Sequence, residues 1–296
     1  MNKIIFILSA IIIISTLQAE AKLTAMVGKV KDGYNFWLFE PDYKIDTTLI
    51  SDSTSINDSM KIIEQDDSIS NKKPLVIFLH GRSLCGNNLN KVLRYGTIAA
   101  AKGGRKIDAY IIGPQNPGTF WKPDKIMNVV DWVAQEYPID STRVYVLGMS
   151  LGGYGTIDLT ATYPNRIAAA MALCGGGSCK DLSGLNNVPL WIIHGTADAA
   201  VSVNESRKVK NQMREAGETP LLRYNEWAGV NHGALARLFY LPQTYEWLFK
   251  HTLENRAVDK SININQGDIK NAYKGFNHRS SSKKRTNKYK SKKAKK

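Results

Sequence analysis

The sequence predicts a domain of the α/β class, in which helices cover both faces of a mostly parallel central sheet. Two observations indicate this architecture. Short, continuous apolar runs such as 75–79 and 144–147 recur along the chain, and such runs are typical of strands buried on both faces. Segments with helical periodicity lie between these runs. Strands that alternate with helices favour a parallel sheet, because each helix carries the chain back to the starting end of the next strand.

The predicted elements begin after residue 21 with a β-hairpin, in which residues 26–30 and 34–39 pair around Lys31-Asp32-Gly33. Residues 46–73 are rich in Ser, Asp, Asn and Lys, and we expect a long surface loop there. The strands predicted after this loop are residues 75–79, 109–112, 144–147, 168–173, 190–193 and 221–224. The clearest helices are predicted before Pro138 and over residues 152–163, 209–216 and 234–251.

The charge of the chain is concentrated at its C-terminal end. The 296 residues carry a formal net charge of +14, but residues 257–296 hold 13 Lys/Arg against 2 Asp/Glu and account for 11 of those charges. This segment lacks apolar periodicity and is predicted to be a basic, disordered tail. Residues 22–256, where most of the 43% hydrophobic residues lie, are predicted to form the folded α/β domain. A specific nucleic-acid-binding function is not predicted, because the basic residues lie outside that domain.

The N-terminal residues 1–21 match a signal peptide. Lys3 precedes a short apolar run over residues 4–14, and Ala19-Glu20-Ala21 fits the small-x-small cleavage pattern. The run is shorter than the ~20 apolar residues that a spanning helix needs. We therefore expect a secreted or periplasmic protein that does not span a membrane.

A candidate nucleophile lies in Gly148-Met149-Ser150-Leu151-Gly152, at the junction between a predicted strand and a predicted helix. A serine on such a sharp turn projects its hydroxyl above the sheet, and small flanking residues let the backbone turn without clashes. The helix that begins there points the positive end of its dipole at the anion that develops during attack. Ser150 is therefore predicted to be the nucleophile.

The base and the acid follow from chain order. In this kind of fold the order is Ser, acid, His, each at the carboxyl end of a strand, and Asp198 and His232 follow predicted strands in that order. His80 and His194 each end a strand before a glycine, where an imidazole commonly braces the adjacent loop. His251 ends the last predicted helix, and His278 lies in the tail. His232 is therefore predicted to be the base and Asp198 the acid.

Two further sets of residues are predicted at the same edge of the sheet. The oxyanion hole needs two backbone N–H groups, which we assign to Leu151 and to Arg82, with Ser83 as the next choice. Phe120 and Trp121 follow a predicted strand on this rim, where they either line a substrate pocket or cap an edge of the core.

The three cysteines leave two alternatives open. Cys174 and Cys179 flank a flexible Gly-Gly-Gly-Ser loop and can form a disulfide in an oxidising compartment, in which case Cys85 is left over. Three unpaired thiols are the other alternative, because disulfide geometry cannot be judged from sequence.

Four motifs together resemble the esterase branch of the α/β-hydrolase superfamily, which includes carboxylesterase/phospholipase, feruloyl-esterase and prolyl-oligopeptidase-like serine hydrolases. They are LHG at 79–81, GMSLGGYG at 148–155, HGTAD at 194–198 and GVNHG at 229–233. The resemblance implies the α/β-hydrolase fold and an acyl-enzyme mechanism with no metal and no organic cofactor. The loop after residue 80 differs from the HGGG form of the family, and residues 22–73 are too few for a gating propeller.

The sequence thus predicts a serine carboxylic ester hydrolase that acts on a small or polymer-attached ester outside the cytoplasm. Two alternatives remain open. One is a serine peptidase on the same scaffold, and the other is a non-catalytic binding protein whose basic tail holds an anionic surface.

Overall fold

An eight-stranded, mostly parallel sheet lies at the centre of the protein in the computed structural model, which describes residues 18–19, 21–44, 72–257 and 261–274. The strands of the described residues are β1 (Gln18–Ala19), β2 (Lys22–Met26), β3 (Phe36–Glu40), β4 (Tyr43–Lys44), β5 (Lys73–Leu79), β6 (Tyr110–Pro114), β7 (Ile139–Met149), β8 (Ala169–Leu173), β9 (Leu190–Gly195) and β10 (Leu222–Trp227). Strands β1 and β4 form a separate two-stranded sheet, and the other eight form the central sheet. The sheet order is β10-β9-β8-β7-β5-β6-β3-β2. Strands β5 to β10 pair in parallel, whereas β2 and β3 add an antiparallel edge.

Among the described residues, five α-helices connect and cover these strands. They are α1 (Thr97–Lys102), α2 (Pro123–Glu136), α3 (Leu151–Thr162), α4 (Val203–Ala216) and α5 (Pro242–Phe249). Strand β5 shows why both faces are buried: the side chains of Val76 and Phe78 pack in one apolar cluster, and those of Leu75, Ile77 and Leu79 pack in the other. Helices α1 and α5 contribute to the first cluster, and α2, α3 and α4 to the second. The predicted α/β architecture is therefore confirmed.

The N-terminal hairpin is present but shifted from its predicted position. Strands β2 and β3 pair from Lys22↔Glu40 to Met26↔Phe36, so the first strand ends where the prediction began it. Val27 is 62% exposed, and Gly28 has a positive φ of 64° and donates its N–H to the Asn35 side chain at 2.8 Å. The chain therefore leaves the sheet after Met26, because a turn at Gly28 takes the place of the strand predicted over residues 26–30.

The last predicted helix, over residues 234–251, is corrected to two shorter elements. A 3₁₀ helix spans His232–Tyr240, and α5 begins at Pro242. Leu241 between them is extended, with φ −85° and ψ 129°. Proline has no N–H and disfavours a helical conformation in the residue before it, so Pro242 interrupts the helix.

The predicted boundary at residue 256 is also corrected. Ile264, Ile269 and Ala272 are 1%, 6% and 1% exposed and belong to the apolar cluster on the α5 face of the sheet. The ring of Tyr273 packs edge-on against that of Tyr240, with 4.9 Å between centroids. The packed domain therefore extends at least to residue 274. The rest of the predicted tail, residues 258–260 and 275–296, lies outside the described residues.

Two other predictions fall largely outside the described residues. Of the predicted signal peptide, only Gln18, Ala19 and residue 21 are described, and β1 pairs antiparallel with β4. Residues 45–71, nearly all of the predicted surface loop, are likewise outside. Within the described part of the chain, no helix has both the length and the apolar character needed to cross a membrane.

Candidate active site

Ser150 lies on a sharp turn between β7 and α3. Its backbone has φ 60° and ψ −123°, a conformation that is strained for a residue with a side chain. A Cβ at Gly152 would lie 1.8 Å from the carbonyl oxygen of Leu79, and one at Gly148 would lie 2.3 Å from the carbonyl oxygen of Gly152. Glycine is therefore required on both sides of Ser150, because the turn brings three backbone segments into contact. This is the predicted nucleophile geometry.

His232 and Asp198 form a hydrogen-bonded pair. Nδ1 of His232 lies 2.7 Å from Oδ2 of Asp198, whose side chain is fully buried. The backbone N–H groups of Ala200 and Val201 donate to Oδ1 of the same carboxylate, each at 2.9 Å. Burial raises the pKa of Asp198, but these hydrogen bonds and His232 outweigh it, and the net pKa is lowered. The carboxylate is therefore held ionised beside the imidazole.

The loops after β9 and β10 are joined to each other, which places this pair. Ala197 donates its N–H to the carbonyl oxygen of Val230 at 3.1 Å, and Gly229 donates to Oγ1 of Thr196 at 3.0 Å. A Cβ at Gly195 would lie 2.1 Å from the Val230 carbonyl oxygen. The two loops can therefore approach closely enough for Asp198 and His232 to meet.

A cavity of about 880 Å³ holds the predicted catalytic groups. Ser150 and His232 both line it, as do Leu151 and Arg82, whose backbone N–H groups are the predicted oxyanion donors. The remaining lining residues are Gly81, Ser83, Tyr95, Phe120, Met149, Tyr154, Gly177, Ser178, Ala200, Val201, Glu205, Gly233 and Ala236. The fold thus brings five of the predicted site residues, Arg82, Phe120, Ser150, Leu151 and His232, to one opening, with Asp198 behind His232.

The two predicted pocket aromatics have different positions. Phe120 is 51% exposed, lines the cavity and packs edge-on against Tyr154. Trp121 is only 3% exposed, and its indole N–H donates to the carbonyl oxygen of His80 at 3.3 Å. Trp121 therefore caps an edge of the core, and its assignment as a substrate-binding residue is corrected.

The other two strand-ending histidines brace loops, as predicted. Nδ1 of His80 lies 2.9 Å from the carbonyl oxygen of Gly81, and the N–H of Asn116 donates to its Nε2 at 3.1 Å. Burial lowers the pKa of His80 to about 4. His194 contacts Ser206 Oγ at 2.7 Å, and burial lowers its pKa as well. Both imidazoles are therefore neutral at pH 7, and their hydrogen bonds hold the neighbouring loops in place.

Several residues of the site are not found by the sequence reasoning. The Tyr95 hydroxyl accepts the N–H of Gly81 at 2.7 Å and so supports the loop that carries Arg82, a predicted oxyanion donor, but no motif marks this residue. The Tyr154 hydroxyl donates to Oε2 of Glu205 at 3.2 Å. Tyr154 lies within the motif at 148–155, so its position beside the nucleophile was a usable signal.

Cys174 is a further missed residue, although it directly follows β8 at the edge of the sheet where the predicted catalytic groups lie. All three cysteines are free thiols, which corresponds to the second of the two alternatives. The Cys174 thiol is fully buried, and burial followed by the nearby Asp198 carboxylate raises its pKa well above the ordinary value. One potential metal-ligating atom from each of Cys174, Asp198 and His232 lies within 4.8 Å of the other two. Among the described residues, these three side chains form the group that is close enough together to hold a metal ion.

Comparison with known proteins supports an esterase relationship. No model of a protein family matches the chain. Acetylxylan esterase A of Emericella nidulans is 37% identical over 81 residues, which is 22% of this chain and 27% of that protein. The bifunctional acetylxylan esterase/xylanase XynS20E of Neocallimastix patriciarum is 27% identical over 163 residues, or 52% of this chain and 23% of that protein. The matches therefore span about a quarter of the length of these relatives.

Solved structures share the fold over a larger part of the chain. A thermostable esterase superposes with a TM-score of 0.60 at 23% identity and covers 79% of this chain and 63% of its own. An S-formylglutathione hydrolase of Staphylococcus aureus superposes with a TM-score of 0.52 at 16% identity, covering 78% of this chain and 99% of its own. Together with the sheet order, these likenesses show the α/β-hydrolase fold.

Proposed function

Because the chain is an α/β-hydrolase whose relatives include esterases, we propose that it hydrolyses carboxylic esters through an acyl-enzyme formed on Ser150. One observation carries this proposal. Ser150, on its strained strand-to-helix turn, and His232, which is hydrogen-bonded to a buried carboxylate, line the same cavity. A nucleophile, a base and an orienting acid are the groups that acyl transfer requires.

The proposed reaction has two halves. His232 takes the proton of the Ser150 hydroxyl as Oγ attacks the ester carbonyl, and Asp198 holds the imidazole tautomer and stabilises its charge. The backbone N–H groups of Leu151 and Arg82 stabilise the oxyanion. The alcohol departs with the proton from His232. Water, activated by the same imidazole, then attacks the acyl-enzyme, and the carboxylic acid leaves as Ser150 regains its proton.

The proposed substrate is a short acyl ester attached to a polymer. The sequence relatives are acetylxylan esterases by name, which supports an acetyl group and a carbohydrate chain as the two parts of the substrate. The exposed ring of Phe120 at the mouth of the cavity is consistent with contact to a sugar ring, because aromatic side chains combine apolar contact area with a well-defined orientation.

This proposal is tested by rates on p-nitrophenyl esters from acetyl to long-chain acyl, on acetylated xylan and on short peptides, with labelling by a fluorophosphonate probe. The proposed function predicts labelling of Ser150 and the highest kcat/KM on acetyl esters. A protein that cleaves peptides in preference to esters supports the serine peptidase alternative. A protein that does not react with the probe supports the non-catalytic alternative.

The proposed location is outside the cytoplasm, and it is supported by the apolar run and cleavage pattern of residues 1–21. We also propose that the basic residues after 274 attract anionic surfaces through a salt-screened field. Mass spectrometry of the protein recovered from the medium or periplasm is expected to find residue 22 at its N-terminus. Uncleaved protein that stays in the cytoplasm would contradict export.

A further inference from the structure

A second, polar depression adjoins the catalytic cavity. This groove has a volume of about 410 Å³ and shares two lining residues, Gly177 and Glu205, with the cavity of about 880 Å³. The other lining residues all belong to α4; they are Lys208, Val209, Asn211, Gln212 and Glu215. The groove is therefore an extension of the catalytic opening along one face of a helix.

The lining chemistry of this groove differs from that of the cavity. Asn211 and Gln212 are exposed amides, each with a carbonyl acceptor and an NH₂ donor. Glu205 and Glu215 add carboxylate acceptors, and Lys208 adds an ammonium donor. An apolar acyl chain would gain little by entering, because it would displace water from these polar groups without offering them hydrogen bonds. Groups that both donate and accept hydrogen bonds, such as hydroxyls, match this lining.

A continuous path joins the groove to the nucleophile. Phe120 and Tyr154 contact each other at the cavity wall, with 6.3 Å between ring centroids. The Tyr154 hydroxyl donates to one oxygen of Glu205, and Lys208 Nζ donates to the other at 2.7 Å. The Lys208 hydrogen bond lowers the pKa of Glu205, so its carboxylate is an ionised acceptor at neutral pH. From Glu205 to Glu215 the helix rises about 15 Å, at 1.5 Å per residue.

We propose that this groove binds the alcohol part of the substrate, a hydroxyl-rich chain that extends from the ester at Ser150 across Glu205 and along α4. The inference rests on the proposed ester hydrolysis and assigns its specificity for a polymer. In acyl transfer the acyl group stays at Ser150 while the alcohol part projects outward, so the part of the substrate that reaches beyond the cavity is the chain that carries the ester. Asn211 and Gln212 would then be specificity-determining residues.

The test compares two acetate esters, one of a small alcohol and one of a polymer. The double variant Asn211→Ala/Gln212→Ala is assayed on p-nitrophenyl acetate and on acetylated xylan, beside the control Gln135→Ala, which removes an exposed amide from α2. The ratio of kcat/KM on the polymer to kcat/KM on the small ester is expected to fall roughly 10-fold in the double variant, as two lost hydrogen bonds imply. The control is expected to keep the wild-type ratio. Melting temperatures verify that the three proteins are equally folded.

Each result decides between the two proposals. An unchanged ratio in the double variant, or an equal fall in the Gln135→Ala control, would overturn the groove assignment and leave ester hydrolysis standing. Wild-type protein that hydrolyses p-nitrophenyl acetate but not acetylated xylan would likewise overturn the groove assignment and leave ester hydrolysis standing. Wild-type protein that hydrolyses neither substrate would overturn the proposed function, and the groove assignment with it.

Discussion

His232 and Asp198 are joined by a 2.7 Å hydrogen bond although 34 positions separate them in the sequence. The bond is made by Nδ1, and His232 also lines the cavity that Ser150 lines. The carboxylate receives two backbone N–H groups on its other oxygen. The orientation of the His232 imidazole therefore depends on one buried side chain, and the first prediction concerns that side chain.

Replacing Asp198 with Asn is expected to lower turnover about 10⁴-fold while the protein remains folded. The amide keeps the shape of the carboxylate but favours the wrong imidazole tautomer and does not stabilise the imidazolium. Steady-state rates on p-nitrophenyl acetate, with Asp181→Asn as an exposed control, measure the effect. Full activity in Asp198→Asn would transfer the role of acid to another carboxylate.

Replacing Ser150 with Ala is expected to abolish ester hydrolysis, with a loss of roughly 10⁴–10⁶-fold. The exposed serine Ser183 provides the matched control, Ser183→Ala, which should retain wild-type turnover. Circular dichroism and melting temperature are expected to remain close to wild type for both. Ser150→Ala protein that keeps a tenth of the wild-type rate would show that another group is the nucleophile.

Replacing Gly152 with Ala is expected to destabilise the fold by about 3 kcal/mol or more, since severe backbone overlap belongs to the most damaging class of substitution. The added Cβ would lie 1.8 Å from the Leu79 carbonyl oxygen, whereas a Cβ at Gly267 meets nothing within 4 Å. Denaturant titration of Gly152→Ala and Gly267→Ala separates local overlap from the general effect of losing a glycine. Equal unfolding midpoints in the two variants would contradict the close approach of β5 to the turn around Ser150.

The stability of the protein is expected to fall as the pH decreases from about 6.5 to 4. Buried His80 has a folded-state pKa of about 4, below its unfolded value, so protons bind preferentially to the unfolded chain in this window. At pH 4 this difference corresponds to a loss of about 3 kcal/mol from His80. His80→Gln accepts the Asn116 N–H and does not titrate. Denaturant titrations at pH 7 and pH 4.5 should show a smaller loss in the variant; an equal loss would mean that other groups cause it.

Two C-terminal truncations are expected to differ in stability. A chain that ends at residue 256 lacks Ile264 and Ile269, which are buried against the domain, and each such side chain contributes roughly 1.5–3 kcal/mol. A chain that ends at residue 274 keeps both and loses 10 Lys/Arg. The first should melt several degrees below wild type and the second at the wild-type temperature. Both should elute earlier from an anionic matrix at low salt. Equal melting temperatures would return the domain boundary to residue 256.

Much of the fold could be predicted because its local signals agree with its tertiary environment. The apolar runs of β5, β7 and β9 are too short for helices and are buried on both faces, so their sequence pattern and their position in the sheet have the same cause. The last predicted helix differed because apolar periodicity continued through Pro242, where the missing N–H outweighs the pattern. The segment at 261–274 differed because its buried side chains follow no regular period.

The sequence by itself determined the order of the strands and helices, the elbow around Ser150, and the chain order of Ser150, Asp198 and His232. These features depend on local backbone sterics and on hydrophobic periodicity, which are written in neighbouring residues. Only the tertiary structure decided that Trp121 packs in the core while Phe120 faces the cavity, that Cys174 lies beside Asp198, and that the groove along α4 meets the cavity at Glu205. Those relationships join side chains from distant strands, and the packing of the whole sheet sets their distances.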